Sequence, residues 1–266
     1  MKDTIKDVLD LSVNYFFTSV KETQGLLTFS LDQNANILNT VETVSDILSG
    51  VAITVISFLF LIDLIQNVLM KMEDLRYEDI VKSLMKLLFA KMFSSYMSLL
   101  ILGIYGKVTE IIVKLSIATP FPDLAKEITN NIAIPNGFIN AATFLLCNIF
   151  PMILLQICGI VIKVIAYARM FEFFILVAIA PIASSFLPYK GTSDITKKFI
   201  LNVVAVLLQG VVMLVAIQIY GKIMANTIFD VSSVFKLLLQ TTTLSCVLLM
   251  AISSSGKWAK QVVGLN

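Results

Sequence analysis

The sequence predicts an all-α, polytopic integral membrane protein with about five to six transmembrane helices behind N-terminal amphipathic helices. Hydrophobic residues make up 58% of its 266 residues and charged ones only 14%, where an ordinary soluble domain has roughly 45–50% and about 25%. The mean hydropathy is +0.89. Long apolar runs recur along the chain, and a bilayer-crossing helix needs about 17–25 such residues.

Residues 1–46 read as two amphipathic helices. In the first, Ile5, Val8, Leu9, Val13, Phe16, Phe17 and Val20 recur at three- and four-residue spacing, which places them on one stripe. Asp3, Asp7 and Asp10 interrupt any apolar core here, so the segment is not expected to be a secretory leader. After the polar "SLDQNANILN", the residues Ile37, Leu38, Val41, Val44, Ile47 and Leu48 repeat the pattern and run without a breaker into the first span.

The transmembrane domain is expected over 47–252, with spans at about 47–70, 89–116, 138–162, 170–187, 199–220 and 234–252. The first carries a single charge, Asp63. "KMEDLRYEDIVKSLMK" follows, with Ile80, Val81, Leu84, Leu87 and Leu88 on one helix side and Glu78 and Lys82 at i,i+4, as an interfacial helix would have them. The connection "ATPFPDLAKEITNNIAIPNG" holds three prolines and a short helix that Asp123 could cap. Pro151 lies inside the third span, and Ser193 or Asp194 offers an N-cap for the fifth. Residues 253–266 read as a short polar tail in which Trp258, flanked by lysines, is an interface anchor.

Lys71, Arg76, Lys82, Lys86 and Lys91 follow the first span, against Lys2, Lys6 and Lys21 before it. By the positive-inside rule this favours an outside N-terminus. No internal repeat of 20–50 residues is evident, nor the paired broken segments of many secondary transporters.

Composition also excludes. A net charge of +2 without a basic run gives no footprint for stable, sequence-specific nucleic-acid binding. The absence of histidine removes imidazole catalysis and His-ligated zinc. Cys147, Cys158 and Cys246 sit in apolar runs and read as small core residues, not as a disulfide frame or metal site. No phosphate-binding, dinucleotide or zincin motif is present. Neither an enzyme nor a bound cofactor is expected.

Several residues stand out as candidates for packing or for lining a channel. Asp63 is costly in lipid unless it pairs with a lysine of another helix or lines a polar path. Arg169 and Glu172, at i,i+3, can pair on one helix face or face a neighbouring subunit. Pro181 removes the hydrogen bond to the carbonyl of Val177 and forces a bend or break. Ala180 and Ser184 form a small-xxx-small pair on which another backbone can pack. Gln209 and Gly210, with Gln218, add amides and a point of close approach; such groups bridge helices more often than they bind a ligand.

The stretches "YEDIVKSLMKLLFAKMFSSYMSLLILGIYGKV", "IAYARMFEFFILVAIAPIASSFLP" and "TKKFILNVVAVLLQGVVMLVAIQIY" follow one another in that order. Over residues 70 to 225 the chain resembles the TrbL-type polytopic subunit of conjugative type IV secretion machines, the sixth component of the VirB series, in its short form. The fourth span and the "LLQG" of the fifth carry most of the likeness. The resemblance implies a multi-pass protein of the bacterial cytoplasmic (inner) membrane, without enzymatic activity. It implies other channel subunits and secretion ATPases as partners, homo- or hetero-oligomers, and a DNA–protein substrate met at most transiently. It further implies that the amphipathic N-terminal region docks on partners. The competing readings are a small-solute transporter or ion channel, and a holin-like pore.

Overall fold

The computed structural model describes residues 2–29, 35–67, 77–118, 138–187, 189, 191–226 and 234–265. Six helices account for nearly all of them: α1 (Lys2–Leu27), α2 (Ala35–Asn67), α3 (Tyr77–Ala118), α4 (Phe138–Ser184), α5 (Ser193–Asn226) and α6 (Val234–Val263). The fold is all-helical, and five of the helices are long and apolar enough to cross a membrane: α2 to α6. The protein is a multi-pass membrane protein. These spans run from 29 to 39 residues. At ~1.5 Å per residue, each is longer than the ~30 Å hydrocarbon layer.

Three expected boundaries move. The interfacial helix and the second span are one element, α3, because no proline or turn sequence separates "YEDIVKSLMK" from "LLFAKMF". Ile80, Val81, Leu84 and Leu88 are exposed on it, where they present an apolar surface. The third and fourth spans are likewise one helix of 47 residues, α4. Lys163 and Arg169 mark no break, since each finds a place within the chain. The sixth span continues through the expected polar tail to Val263. There Ser253 and Ser255 return their hydroxyls to the carbonyls of Met250 and Ile252, at 2.9 and 2.6 Å.

Gly264 ends α6 with a positive φ of 80°. Leu265 N–H donates to Lys260 O and Gly264 N–H to Gln261 O, the paired bonds of a Schellman turn, in which glycine adopts the left-handed conformation without a Cβ clash. At the start of α5, Ser193 and Asp194 are the first helical residues and Asp194 pairs with Lys197 at 3.1 Å. The proposed Asp123 cap and the loop basic residues Lys71 and Arg76 lie outside the described residues.

The chain folds as two compact units. The first comprises Met1–Phe29, Glu110–Arg169 and Leu208–Ala259. Here α1 buries Leu9, Val13, Phe16, Phe17 and Val20, the stripe its spacing predicts, although Val8 is exposed. Phe16 meets Phe17 and Tyr220 edge-on at 5.4 and 6.1 Å. A Cβ at Gly159 of α4 would lie 3.3 Å from Ser19 and 3.4 Å from the Phe16 Cα, so glycine lets the two backbones approach. Gln156 Nε2 donates to Ser12 Oγ at 3.0 Å and Gln24 Nε2 to Ser116 Oγ at 2.5 Å. Most of the apolar stripe of α1 is therefore covered within its own unit, while Leu11 and Tyr15 stand exposed beside it.

The second unit comprises Ser30–Thr109, Met170–Leu207 and Lys260–Asn266. Its core holds Ala52, Ile56, Ala90, Met97, Ile101, Phe173, Val177, Ala180 and Val203. Tyr105 stacks on Phe173 at 4.3 Å. In α2 only 22% of the apolar window is buried, the smallest share of the five spans.

Candidate functional site

The last two turns of α4 are the most elaborated part of the second unit. Pro181 has no N–H, so the carbonyl of Val177, one turn earlier, loses its helical donor. α3 replaces it: Ser98 Oγ donates to Val177 O at 3.1 Å. Because the Ser98 proton is engaged there, the 2.6 Å contact between Ser45 and Ser98 has Ser45 as donor. A hydroxyl relay thus runs from α2 through α3 to α4.

A second serine, one α3 turn earlier, treats the next orphan. Ser94 Oγ donates to Pro181 O at 2.7 Å, and Ser184 Oγ donates to the same carbonyl at 2.9 Å. Ser185 N–H donates to Ile182 O in a tighter final turn. Ala180 and Ser184 are both fully buried, which keeps this face narrow enough for α3 to reach backbone oxygens. Thr196 Oγ1 of α5 donates to Ala183 O at 2.7 Å on the other side of the same turn. Pro181 does not break α4, which continues to Ser184.

Asp63 stands near the end of α2 and is 8% exposed. Lys86 Nζ of α3 lies 3.5 Å from its Oδ2, and Ser83 Oγ donates to the same oxygen at 3.3 Å. Ser83 and Lys86 are three apart, on one face of the first turns of α3. Tyr189, in the turn after α4, donates its hydroxyl to Gln66 Oε1 of α2 at 2.6 Å. Asp63, Ser83, Lys86 and Tyr189 border a cavity of about 20 Å³, room for one water. The carboxylate is held by a lysine of another helix at one end of its span.

In the first unit, Arg169 is 6% exposed and its guanidinium lies over the Cα of Gly210. A Cβ there would fall on the Arg169 guanidinium itself, far inside van der Waals contact. Only glycine leaves room for this packing. The preceding residue, Gln209, lies against Gly256 of α6, where a Cβ would meet its Nε2 at an ordinary contact distance of 3.4 Å. Glu172, one turn after Arg169, is exposed. The two charges therefore differ in environment, with only the arginine taken into the protein. Gln218 Nε2 donates to Leu115 O of α3 at 3.0 Å, bridging two helices.

Cys158 and Cys246 face each other across α4 and α6 with their Sγ atoms 3.7 Å apart, and Cys147 is exposed. Among the described residues, no cluster of three carboxylates or thiols has the arrangement to hold a metal ion. Sequence reasoning singled out Pro181, Ala180 and Ser184 but missed Ser45, Ser94 and Ser98. The available signal was the i,i+4 spacing of two serines in "FSSYMS", set in an otherwise apolar helix. It likewise missed Ser83 and Lys86 as the partners of Asp63.

The sites are of one kind: polar or small side chains that join apolar helices by satisfying backbone carbonyls, seating a buried cation or neutralising a carboxylate. Comparison with family models, curated proteins and solved structures finds no match for the chain.

Proposed function

We propose that the protein is a channel or scaffold subunit of a bacterial type IV secretion machine, set in the cytoplasmic membrane and helping a DNA–protein substrate cross it. The observation that carries this reading is the seating of Arg169 over Gly210. The arginine opens the "RMFEFFILVAIAP" stretch and the glycine closes "LLQG", the two parts of the sequence in which the likeness to the TrbL-type subunit is concentrated. Their packing gives the two stretches a shared physical purpose. The sparse cover of α2, 22% of its apolar window, further supports a subunit with neighbours. Partner ATPases would supply the energy.

The test is crosslinking in the native membrane followed by purification. Recovery of secretion ATPases and core channel subunits is expected; a stable monomer that brings down neither would overturn the proposal. A transporter reading draws on the Asp63–Lys86 pair beside its small cavity. Saturable uptake into liposomes by the isolated protein, abolished by Asp63→Asn, would favour that reading instead.

A further inference from the structure

We propose that Cys158 and Cys246 are a redox-active dithiol, and that a quinone dissolved in the bilayer oxidises them to a disulfide that ties α4 to α6. The two cysteines are 88 residues apart in sequence and stand on separate spans, yet the fold brings their Sγ atoms to 3.7 Å. An S–S bond is about 2.0 Å long. The sulfurs therefore have ~1.7 Å left to close, a distance within the reach of rotation about χ1.

The neighbouring contacts keep the sulfurs facing each other. Thr242 Oγ1 of α6, one turn before Cys246, lies 3.3 Å from Pro151 O of α4. Ser245 Oγ, on the residue next to Cys246, lies 3.1 Å from the Tyr220 hydroxyl of α5. The first contact fixes the spacing of α4 and α6, and the second fixes the rotation of α6 about its axis.

The pair is asymmetric. Cys158 is 1% exposed, while Cys246 is half-buried. Val247, the next residue, and Met250, one turn on, are exposed beside Cys246. That surface is apolar and belongs to a membrane span, so an oxidant reaches it through the hydrocarbon. A charged disulfide does not dissolve there; a quinone does, and it accepts two electrons.

Cys246 Sγ adds to a ring carbon of the quinone and its proton passes to a quinone oxygen, so no thiolate has to persist in lipid. Cys158 Sγ then attacks Cys246 Sγ. The S–S bond forms, the carbon–sulfur bond breaks with its electron pair going to the ring, and the Cys158 proton follows. Two thiols thus lose two electrons and two protons, and the quinone leaves as quinol. This inference is independent of the secretion reading.

The test uses the full, reduced chain in nanodiscs loaded with a short-chain quinone, followed by alkylation of free thiols under denaturing conditions and peptide mass spectrometry. The unaltered protein is expected to lose both thiols and two hydrogens in mass, with the peptides carrying Cys158 and Cys246 joined and quinol formed in equal amount. Glutathione disulfide in the buffer should leave the pair reduced. In Cys158→Ala the quinone should remain on Cys246 as a thioether, whereas in Cys246→Ala the buried Cys158 should stay free. Cys147→Ala, at the exposed cysteine outside the pair, should oxidise like the unaltered protein. Circular dichroism of each variant checks that the helices are intact. A pair that stays reduced with quinone, a disulfide through Cys147 or between two chains, or a disulfide formed by copper–phenanthroline but not by the quinone would each overturn the proposal.

Discussion

At the residue scale, the carbonyls around Pro181 show how a proline is tolerated in a buried helix. Removing the hydroxyl of Ser98 should leave Val177 O without its donor, at a cost of ~1–3 kcal/mol for a buried, unsatisfied acceptor. The same Ser98→Ala change in a Pro181→Ala background should cost far less, because the restored N–H of residue 181 reaches Val177 O. Unfolding by SDS in mixed micelles, run as a double-mutant cycle, measures the difference. Equal costs in both backgrounds would break the link between serine and proline. A second cycle concerns Gly210. Gly210→Ala places a methyl group where the Arg169 guanidinium sits, so it should destabilise by roughly 1–3 kcal/mol, the cost typical of overpacking. In an Arg169→Ala background the penalty should largely disappear, while additive effects would mean the contact carries no strain.

At the element scale, the docking of α1 sets a large apolar term against a small ionic one. Phe16 is fully buried, and Phe16→Ala should cost ~3–5 kcal/mol. Glu22 and Lys163 form an ion pair with side chains 52% and 25% exposed, so Lys163→Gln should cost less than ~1 kcal/mol. Protease release of α1 from the purified protein gives the readout: Phe16→Ala should accelerate it strongly and Lys163→Gln barely.

The stripe on α1 was legible in the sequence because period and polarity agreed over about four turns. The fusion of two spans into α4 was not. Lys163 and Arg169 looked like a boundary because the cost of a charge in lipid is visible in one dimension, while Glu22 and Gly210, which accommodate them, are remote in sequence. Ser94 and Ser98 were hidden for a related reason: a hydroxyl can always bond to its own helix, so serine in an apolar run announces no partner. Asp63 was recognised as a charge needing a lysine, but only the fold selects Lys86.

At the scale of the whole molecule, five spans among the described residues replace the six apolar runs that the sequence displays. Five single crossings put the chain before α2 and the chain after α6 on opposite sides of the membrane. With the excess of basic residues after α2, the C-terminus is expected inside and residues 1–29 outside. Alkaline-phosphatase and fluorescent-protein fusions at residue 29 and at the C-terminus should therefore report opposite faces. Identical reports would mean an even number of crossings.

The serines that receive the proline-bearing turn also impose an order of birth. α3 leaves the ribosome before α4, so Ser94 and Ser98 are already made when Pro181 emerges and its orphan carbonyls need hydrogen bonds. In a fragment beginning at residue 138, the carbonyl of Val177 would enter the bilayer without the Ser98 hydroxyl and that of Pro181 with Ser184 alone. Such a fragment is expected to be degraded in cells unless residues 35–118 are synthesised alongside it, and pulse–chase labelling would show the rescue. Direction of synthesis, in this protein, is a means of keeping a membrane helix out of trouble.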